Sequence, residues 1–175
     1  TNNLAIGHVA LGGSVAGGEY NVAIGNYSLD ALTSGDFNTA VGYNAGTALT
    51  TGVKGTIVGY GAGAAVVSAQ NVTLMGYNAG TANTAHECTA FGSEAALGNT
   101  SGGGITAIGR EAYKVADTEG HNLAIGAQAM AGPVAGGEYN VAIGNFSLDA
   151  LTSADNSVAI GYQAAGKLTT GGDSV

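Results

Sequence analysis

The sequence has few of the residues from which catalytic, metal-binding and nucleic-acid-binding sites are built. Its 175 residues include one cysteine, one proline, no tryptophan and only 4 basic side chains against 12 acidic ones. A single cysteine, Cys88, excludes an intrachain disulfide framework and a cysteine-rich zinc site. The net charge of −8 argues against binding to nucleic acid, because so few basic side chains cannot neutralise a row of phosphates.

Signals for membrane insertion are also missing from the sequence. The first residues have neither the basic region nor the apolar region of a signal peptide. Residues 55–85 carry no Asp, Glu, Lys or Arg, and their length would suit a membrane helix. That stretch contains six glycines together with Gln70 and Asn71, and the repeat described next explains it better. We therefore expect no membrane insertion by this segment.

A short motif recurs along the whole chain at a nearly constant interval. Each copy has an apolar residue or threonine, then usually alanine, then a large apolar residue, then glycine, and the glycines lie 16 to 18 residues apart. The ten glycines are Gly7, Gly25, Gly42, Gly59, Gly76, Gly92, Gly109, Gly126, Gly144 and Gly161. Residues 3–52 also match residues 122–171 at 35 of 50 positions, which indicates duplication of a block of seven units.

This period predicts an all-β fold, a parallel β-solenoid of about ten 17-residue coils. A 17-residue unit is too short for a helical hairpin, and its glycine and β-branched content disfavours helices. Two short strands and two turns fit one coil, and ten coils spaced by about 4.8 Å would make a rod of roughly 48 Å. We expect residues 1–175 to be one repetitive segment of a longer fibre, because neither end has a polar cap.

Two columns of side chains alternate along each motif, so that they are expected on opposite faces of a strand. The large apolar column is predicted to form the core ladder: Ile6, Ile24, Val41, Val58, Met75, Phe91, Ile108, Ile125, Ile143 and Ile160. The small column would be an exposed apolar patch in a monomer, so it is predicted to form the subunit interface: Ala5, Ala23, Ala40, Ala90, Ala107, Ala124, Ala142 and Ala159.

These motifs resemble the repeats of two groups of fibrous proteins. Residues 156–161 read NSVAIG, which resembles the repeat of the YadA-like head domain of trimeric autotransporter adhesins. Residues 38–46, NTAVGYNAG, are similar to repeats of bacteriophage tail fibres. The resemblance implies a left-handed β-roll, assembled as a homotrimer in an extracellular fibre that contacts a glycan or protein receptor on a host cell. The tail-fibre and adhesin alternatives both stay open.

Catalysis and cofactor binding find little support in the sequence. We predict no enzyme activity, no cofactor and no metal site. Strand alternation would place His86 and Cys88 on one face, but no third residue completes a nucleophilic site. His8 and His121 lie in different columns and do not form a metal ladder. Calcium near Asp36, Asp155 or residues 171–173 lacks the repeat typical of calcium-binding β-rolls.

Two further columns leave alternatives open. Thr39, Thr56, Thr73, Thr89 and Thr106 are predicted to form an inner hydroxyl ladder. The alternative is the flat threonine array of an ice-binding or other monomeric β-solenoid. A tyrosine follows the glycine in four units and would form either a strip for receptor glycans or a seam between subunits. These residues are Tyr43, Tyr60, Tyr77 and Tyr162.

Overall fold

The computed structural model of the chain describes residues 2–116 and 118–171, which form one parallel sheet of ten strands in chain order. The strands, of three residues each, are β1 (Leu4–Ile6), β2 (Val22–Ile24), β3 (Thr39–Val41), β4 (Thr56–Val58), β5 (Thr73–Met75), β6 (Thr89–Phe91), β7 (Thr106–Ile108), β8 (Leu123–Ile125), β9 (Val141–Ile143) and β10 (Val158–Ile160). Equivalent residues pair in register throughout, as in Val41 with Val58. The described residues form no helix, and the predicted all-β parallel solenoid is confirmed, with about nine turns.

The sheet occupies only one side of each turn of the solenoid, so the prediction of two strands per coil is wrong. The rest of each turn is bent by residues in the left-handed region, such as Tyr27 and Leu29 at φ of 59° and 47°. Backbone hydrogen bonds between turns nevertheless continue there. The Leu29 N–H donates to the Ala45 carbonyl at 3.1 Å. Stacking therefore extends around the turn, although the extended conformation does not.

The glycine after each strand is required by both conformation and space. The ten repeat glycines have φ between 128° and 141°, which side chains rarely adopt. A Cβ on Gly59 would also lie 2.2 Å from the carbonyl oxygen of Gly76 in the next turn. This double constraint explains why glycine occupies that position in every motif.

The two faces of the strands are the reverse of the sequence prediction. The middle residue of every strand from β2 to β10 is buried within the chain, so it has no surface to offer to another subunit; it is Ile57 in β4, Leu74 in β5 and alanine in the others, whereas Ala5 in β1 is exposed. The buried alanines are Ala23, Ala40, Ala90, Ala107, Ala124, Ala142 and Ala159. The predicted core ladder instead faces outward and is partly or largely exposed: Ile6, Ile24, Val41, Val58, Met75, Phe91, Ile108, Ile125, Ile143 and Ile160.

The interior is narrow, and the turns fill it as much as the strands do. Leu29, Leu32 and Leu49 project from turns and are almost completely buried, as are Leu148 and Leu151 in the duplicated block. An alanine in the strand leaves room for these leucines, whereas a large residue on each side would overfill the same cross-section. The physical reason for the reversed faces is therefore the space that the turn residues occupy.

A column of asparagines immediately before the strands supplies hydrogen bonds inside this core. The Asn38 side chain donates to the Gly52 carbonyl at 2.8 Å and accepts the Gly55 N–H at 2.8 Å. The Asn38 N–H in turn donates to the amide oxygen of Asn21, one turn away, at 2.9 Å. Among the described residues, no buried side-chain nitrogen or oxygen lacks a partner, as packed interiors require.

Candidate functional site: the outer sheet face and its aromatic border

The outward side chains of the ten strands form one continuous surface, which we call the outer face. It has two columns, the large apolar residues named above and the first residue of each strand. The first residues are Leu4, Val22, Thr39, Thr56, Thr73, Thr89, Thr106, Leu123, Val141 and Val158. None of these twenty side chains is charged, although the chain carries a net charge of −8. The acidic residues are thus excluded from this face.

Exposure of the outer face is substantial. Ile6, Phe91 and Ile160 are each more than half exposed, and the other members of the large apolar column are partly exposed. Ten strands about 4.8 Å apart span about 43 Å, and a width of about 10 Å gives a face on the order of 400 Å². That area is comparable to the largest apolar patch of a typical soluble monomer, which is often functional.

The threonines of the five central strands belong to this outer face. Their side chains are partly exposed, and no described hydrogen bond involves their hydroxyl groups. The prediction of an inner hydroxyl ladder is therefore wrong, because the threonine shares its orientation with the large apolar residue rather than with the buried alanine. The middle of the outer face offers a row of hydroxyl groups, and its two ends are purely aliphatic.

A row of aromatic rings follows the outer face on the side where the strands end. Tyr43, Tyr60 and Tyr77 stack nearly parallel, with ring centroids 5.3 Å and 5.5 Å apart, and they are 42%, 53% and 51% exposed. The row is extended by Tyr27 and His8, in edge-to-face contacts at 5.8 Å and 5.4 Å. We call Tyr43, Tyr60 and Tyr77 the tyrosine stack.

The fourth predicted tyrosine is not part of this stack. Tyr162 is 70% exposed and contacts Phe146 edge to face at 6.1 Å. Sequence reasoning also missed Tyr27 and His8, because Tyr27 lies one position away from the tyrosine column and His8 replaces tyrosine within it. Aromatic residues within one position of the column in adjacent units would have been the signal for the longer row.

The stack limits how a sugar could bind to it. Tyr60 has a ring on each side, so its faces are occupied by Tyr43 and Tyr77 rather than free for a pyranose ring. About half of each residue nevertheless remains exposed, which suits polar contacts or a neighbouring chain.

A second column of aromatic residues borders the strands at their beginning. Tyr20 stacks on Phe37 at 5.2 Å, and His121 stacks on Tyr139 at 5.0 Å. Each of the four residues has φ near 58°. These pairs were not predicted, because the repeat was aligned on its glycine and these residues precede it by five positions.

Cys88 and His86 do not form a nucleophilic pair. Cys88 is fully buried in the column that the asparagines occupy elsewhere, whereas His86 is exposed and its Nδ1 accepts the Gln70 N–H at 3.0 Å. The prediction that both share one face is wrong, because β6 begins only at Thr89 and alternation does not extend back to His86. Burial raises the pKa of the Cys88 thiol to about 12, which keeps it in the unreactive thiol form.

Two of the acidic residues considered as calcium ligands instead accept hydrogen bonds from the backbone. The carboxylates of Asp36 and Asp155 each accept an N–H from the preceding turn at 2.8 Å, from Glu19 and Glu138. In residues 2–116 and 118–171, no three His, Cys, Asp or Glu side chains lie close enough to bind a metal ion. Residues 172 and 173 of the third candidate lie outside the described residues.

One charged cluster lies on the surface of the central turns. Lys114 pairs with Glu94 at 2.6 Å and with Glu111 at 3.2 Å, and Arg110 pairs with Glu111 at 2.7 Å. Hydrogen bonds from Gln128 and Lys114 lower the pKa of Glu111. The basic side chains thereby offset the repulsion between two glutamates that stack in adjacent turns.

Comparison with known proteins identifies no relative of this chain. No family model, no curated protein and no solved structure matches it. Among the described residues, no helix is long and apolar enough to cross a bilayer.

Proposed function

We propose that this chain is a structural and adhesive segment of an extracellular trimeric fibre, a phage tail fibre or a bacterial surface adhesin, that attaches to a host cell. The observation that carries the proposal is the outer face, whose two columns of ten outward residues include no charged side chain. The NSVAIG resemblance supports three chains and a left-handed β-roll as the form of the assembly.

A second copy of the chain fits the outer face for electrostatic and geometric reasons. Elsewhere the surface carries most of the net charge of −8, so two copies repel each other except where charge is absent. Every copy repeats its side chains at the strand spacing of about 4.8 Å, so the ridges of two outer faces have the same period. Three copies around a common axis would bury these faces together and form a closed assembly.

The mass of the chain in solution tests this assembly. We expect sedimentation equilibrium to give three times the mass of one chain. Ile125→Lys, in the middle of an aliphatic part of the outer face, should dissociate the trimer, because an unpaired charge would be buried. Val67→Lys is the matched control, since Val67 is 46% exposed but lies off the outer face. A monomeric wild type, or equal effects of both lysines, would contradict the proposal.

The location of the fibre needs a separate experiment. Immunogold labelling of intact virions or producing cells, with an antibody raised against this chain, should mark surface filaments. Label confined to the cell interior would contradict the extracellular role, while leaving the trimer measurement unaffected.

The five central threonines favour a second candidate function, a monomeric ice-binding solenoid. Their hydroxyl groups have no described hydrogen-bond partner and repeat along a sheet, as an ordered water layer would require. A monomeric chain that strongly inhibits ice recrystallisation at micromolar concentration would support this function over the fibre. Loss of that inhibition in Thr56→Leu, with Thr84→Leu off the outer face as control, would locate it on the threonines.

A further inference from the structure

We propose that Tyr43, Tyr60 and Tyr77 form a site of oxidative modification, at which neighbouring side chains couple to dityrosine and link consecutive turns covalently. The co-reactant is a one-electron oxidant of phenols, such as a peroxidase intermediate formed with hydrogen peroxide. The inference rests on the tyrosine stack of a single chain and does not depend on the trimer.

The geometry brings phenol rings into repeated contact. Each tyrosine lies two residues beyond the end of a strand, and the pairing of Val41 with Val58 and of Val58 with Met75 keeps the three positions in register. The rings are 13° and 15° from parallel, with centroids 5.3 Å and 5.5 Å apart. Neighbouring ortho carbons therefore need only a side-chain rotation to meet, not a change in the backbone.

The three tyrosine rings are also exposed to solvent, and no described hydrogen bond fixes their hydroxyl groups. Each ring is about half exposed, so a small oxidant or a radical mediator reaches it from solvent. No described hydrogen bond involves the three hydroxyl groups, so no hydrogen bond in the described chain has to break before two rings couple. By contrast, Tyr113 is fully buried and its hydroxyl donates to the Glu119 carbonyl at 2.6 Å, so it is protected from the same chemistry.

The coupling reaction balances with hydrogen peroxide as the oxidant. Two phenols each lose one electron and one proton to give two phenoxyl radicals, and one carbon–carbon bond forms between their ortho carbons. The hydrogens on those two carbons then move to the oxygens, which restores both phenols. The peroxide takes up the two electrons and two protons and becomes two waters.

The other tyrosines provide internal contrasts, because most of them lie against a ring that is not a phenol. Tyr20 contacts Phe37, Tyr139 contacts His121, and Tyr162 contacts Phe146. Tyr27 meets Tyr43 edge to face at 82°, which is less suited to coupling than the two stacked pairs. Among the eight tyrosines of the chain, coupling within one molecule is therefore expected at Tyr43, Tyr60 and Tyr77.

Treatment of the dilute full chain with peroxidase and hydrogen peroxide tests the proposal. We expect dityrosine fluorescence, a chain lighter by two hydrogen atoms with unchanged mobility on a denaturing gel, and a cross-linked peptide joining Tyr60 to Tyr43 or Tyr77. Tyr60→Phe preserves a ring but leaves each remaining phenol of the stack opposite phenylalanine. Its yield within the chain should fall about tenfold, because coupling depends on enforced proximity.

Tyr162→Phe is the matched control, because Tyr162 is more exposed but has no phenol beside it. Its yield should equal that of the wild type. Circular dichroism should show both variants folded, as the natural replacement of Tyr27 by Phe146 in the duplicated block indicates. The proposal is overturned if the wild type forms no dityrosine, if cross-links join only different chains, or if Tyr60→Phe couples as efficiently as the wild type.

Discussion

Strands β2 and β9, in the two duplicated blocks, and strands β4 and β5, in the middle of the chain, fill the interior in opposite ways. In β2 and β9 the strand contributes alanine and the following turn contributes leucine, as in Ala23 with Leu29. In β4 and β5 the strand contributes the large residue and the equivalent turn position is glycine, as in Leu74 with Gly80. A Cβ on Gly80 would lie 2.6 Å from Leu74 Cδ2, so the two positions share one volume.

The comparison teaches that in these turns the strand residue and the turn residue share one volume, so that neither position requires a particular residue. The polar content of the core varies in the same way. The buried position before the strand holds asparagine or serine in the blocks and glycine or an apolar residue in the middle. The residues are Asn21, Asn38, Asn122, Asn140 and Ser157 in the blocks, and Gly55, Val72, Cys88 and Ile105 in the middle. A backbone repeated with little change thus accepts either an amide ladder or an apolar column, provided that every buried group is packed or hydrogen-bonded.

The largest effect on the free energy of unfolding is expected when the large strand residue and the glycine of one turn are replaced, one at a time, by alanine and leucine. Leu74→Ala alone should lower the free energy of unfolding by about 2–5 kcal/mol through a cavity, and Gly80→Leu alone should be destabilising through overpacking. The double variant reproduces the Ala23 and Leu29 arrangement and should recover most of the loss. Urea denaturation of all four chains measures this as a coupling energy of about 2 kcal/mol or more. Simple additivity of the two losses would show that the positions do not share volume.

Removing an amide from the blocks should have the next largest effect. Asn38→Ala should lower the free energy of unfolding by about 2–3 kcal/mol, because the Gly52 carbonyl and the Gly55 N–H lose their buried partner. Asn26→Ala is the control, since its side chain is exposed and, among the described residues, accepts a single hydrogen bond, from the His8 N–H. Equal losses in chemical denaturation would mean that burial of the amide contributes little.

Raising the pH should lower the free energy of unfolding through Cys88, which lies in the middle of the chain. Its pKa is raised from 9.0 to about 12 in the folded chain, so above pH 9 the unfolded chain releases the thiol proton first. Stability is then lost as pH rises from 9 to 12, by at most about 1.4 kcal/mol per pH unit. The measured quantity is the difference in stability between wild type and Cys88→Ala, which isolates the contribution of the thiol. Parallel stability profiles of the two chains would refute this prediction.

The smallest effect on folding is expected at the outer face. Thr73→Val replaces the central threonine by the residue that β2, β9 and β10 carry at this position, and it should change the unfolding free energy by no more than about 0.5 kcal/mol. Self-association should strengthen, because a hydroxyl without a described partner is replaced by a methyl group. Sedimentation measures the association, with Ser101→Val as an exposed control away from the outer face. A large loss of folding stability would show that the hydroxyl is needed within the chain.

Much of the fold is predictable from the sequence because the repeat is so regular. The glycines identify each unit, and the three residues before each glycine are the observed strands, in the predicted register. Alternation also separates alanine from the large apolar residue and the threonine correctly. It cannot decide which of the two faces lies inside, because that depends on Leu29, Leu32 and Leu49, which the strand pattern does not include.

The candidate site is predictable only in part for the same reason. Tyr43, Tyr60 and Tyr77 follow from their column, but Tyr27 joins them from the neighbouring position and Tyr162 lies apart with Phe146. Contacts between such residues depend on how the turn after the glycine bends. A local pattern of residue types does not specify that bend.

The amino-acid sequence by itself determined the period of the solenoid, the strand positions and their register, because only glycine tolerates the backbone angle and the close approach between turns that recur in every unit. The tertiary structure alone decided which face became the core. Where the turn contributes a leucine, as at Leu29, the strand contributes alanine, and where the strand contributes Leu74 the turn contributes Gly80. The isoleucines and valines beside these inner residues are left on the outer face.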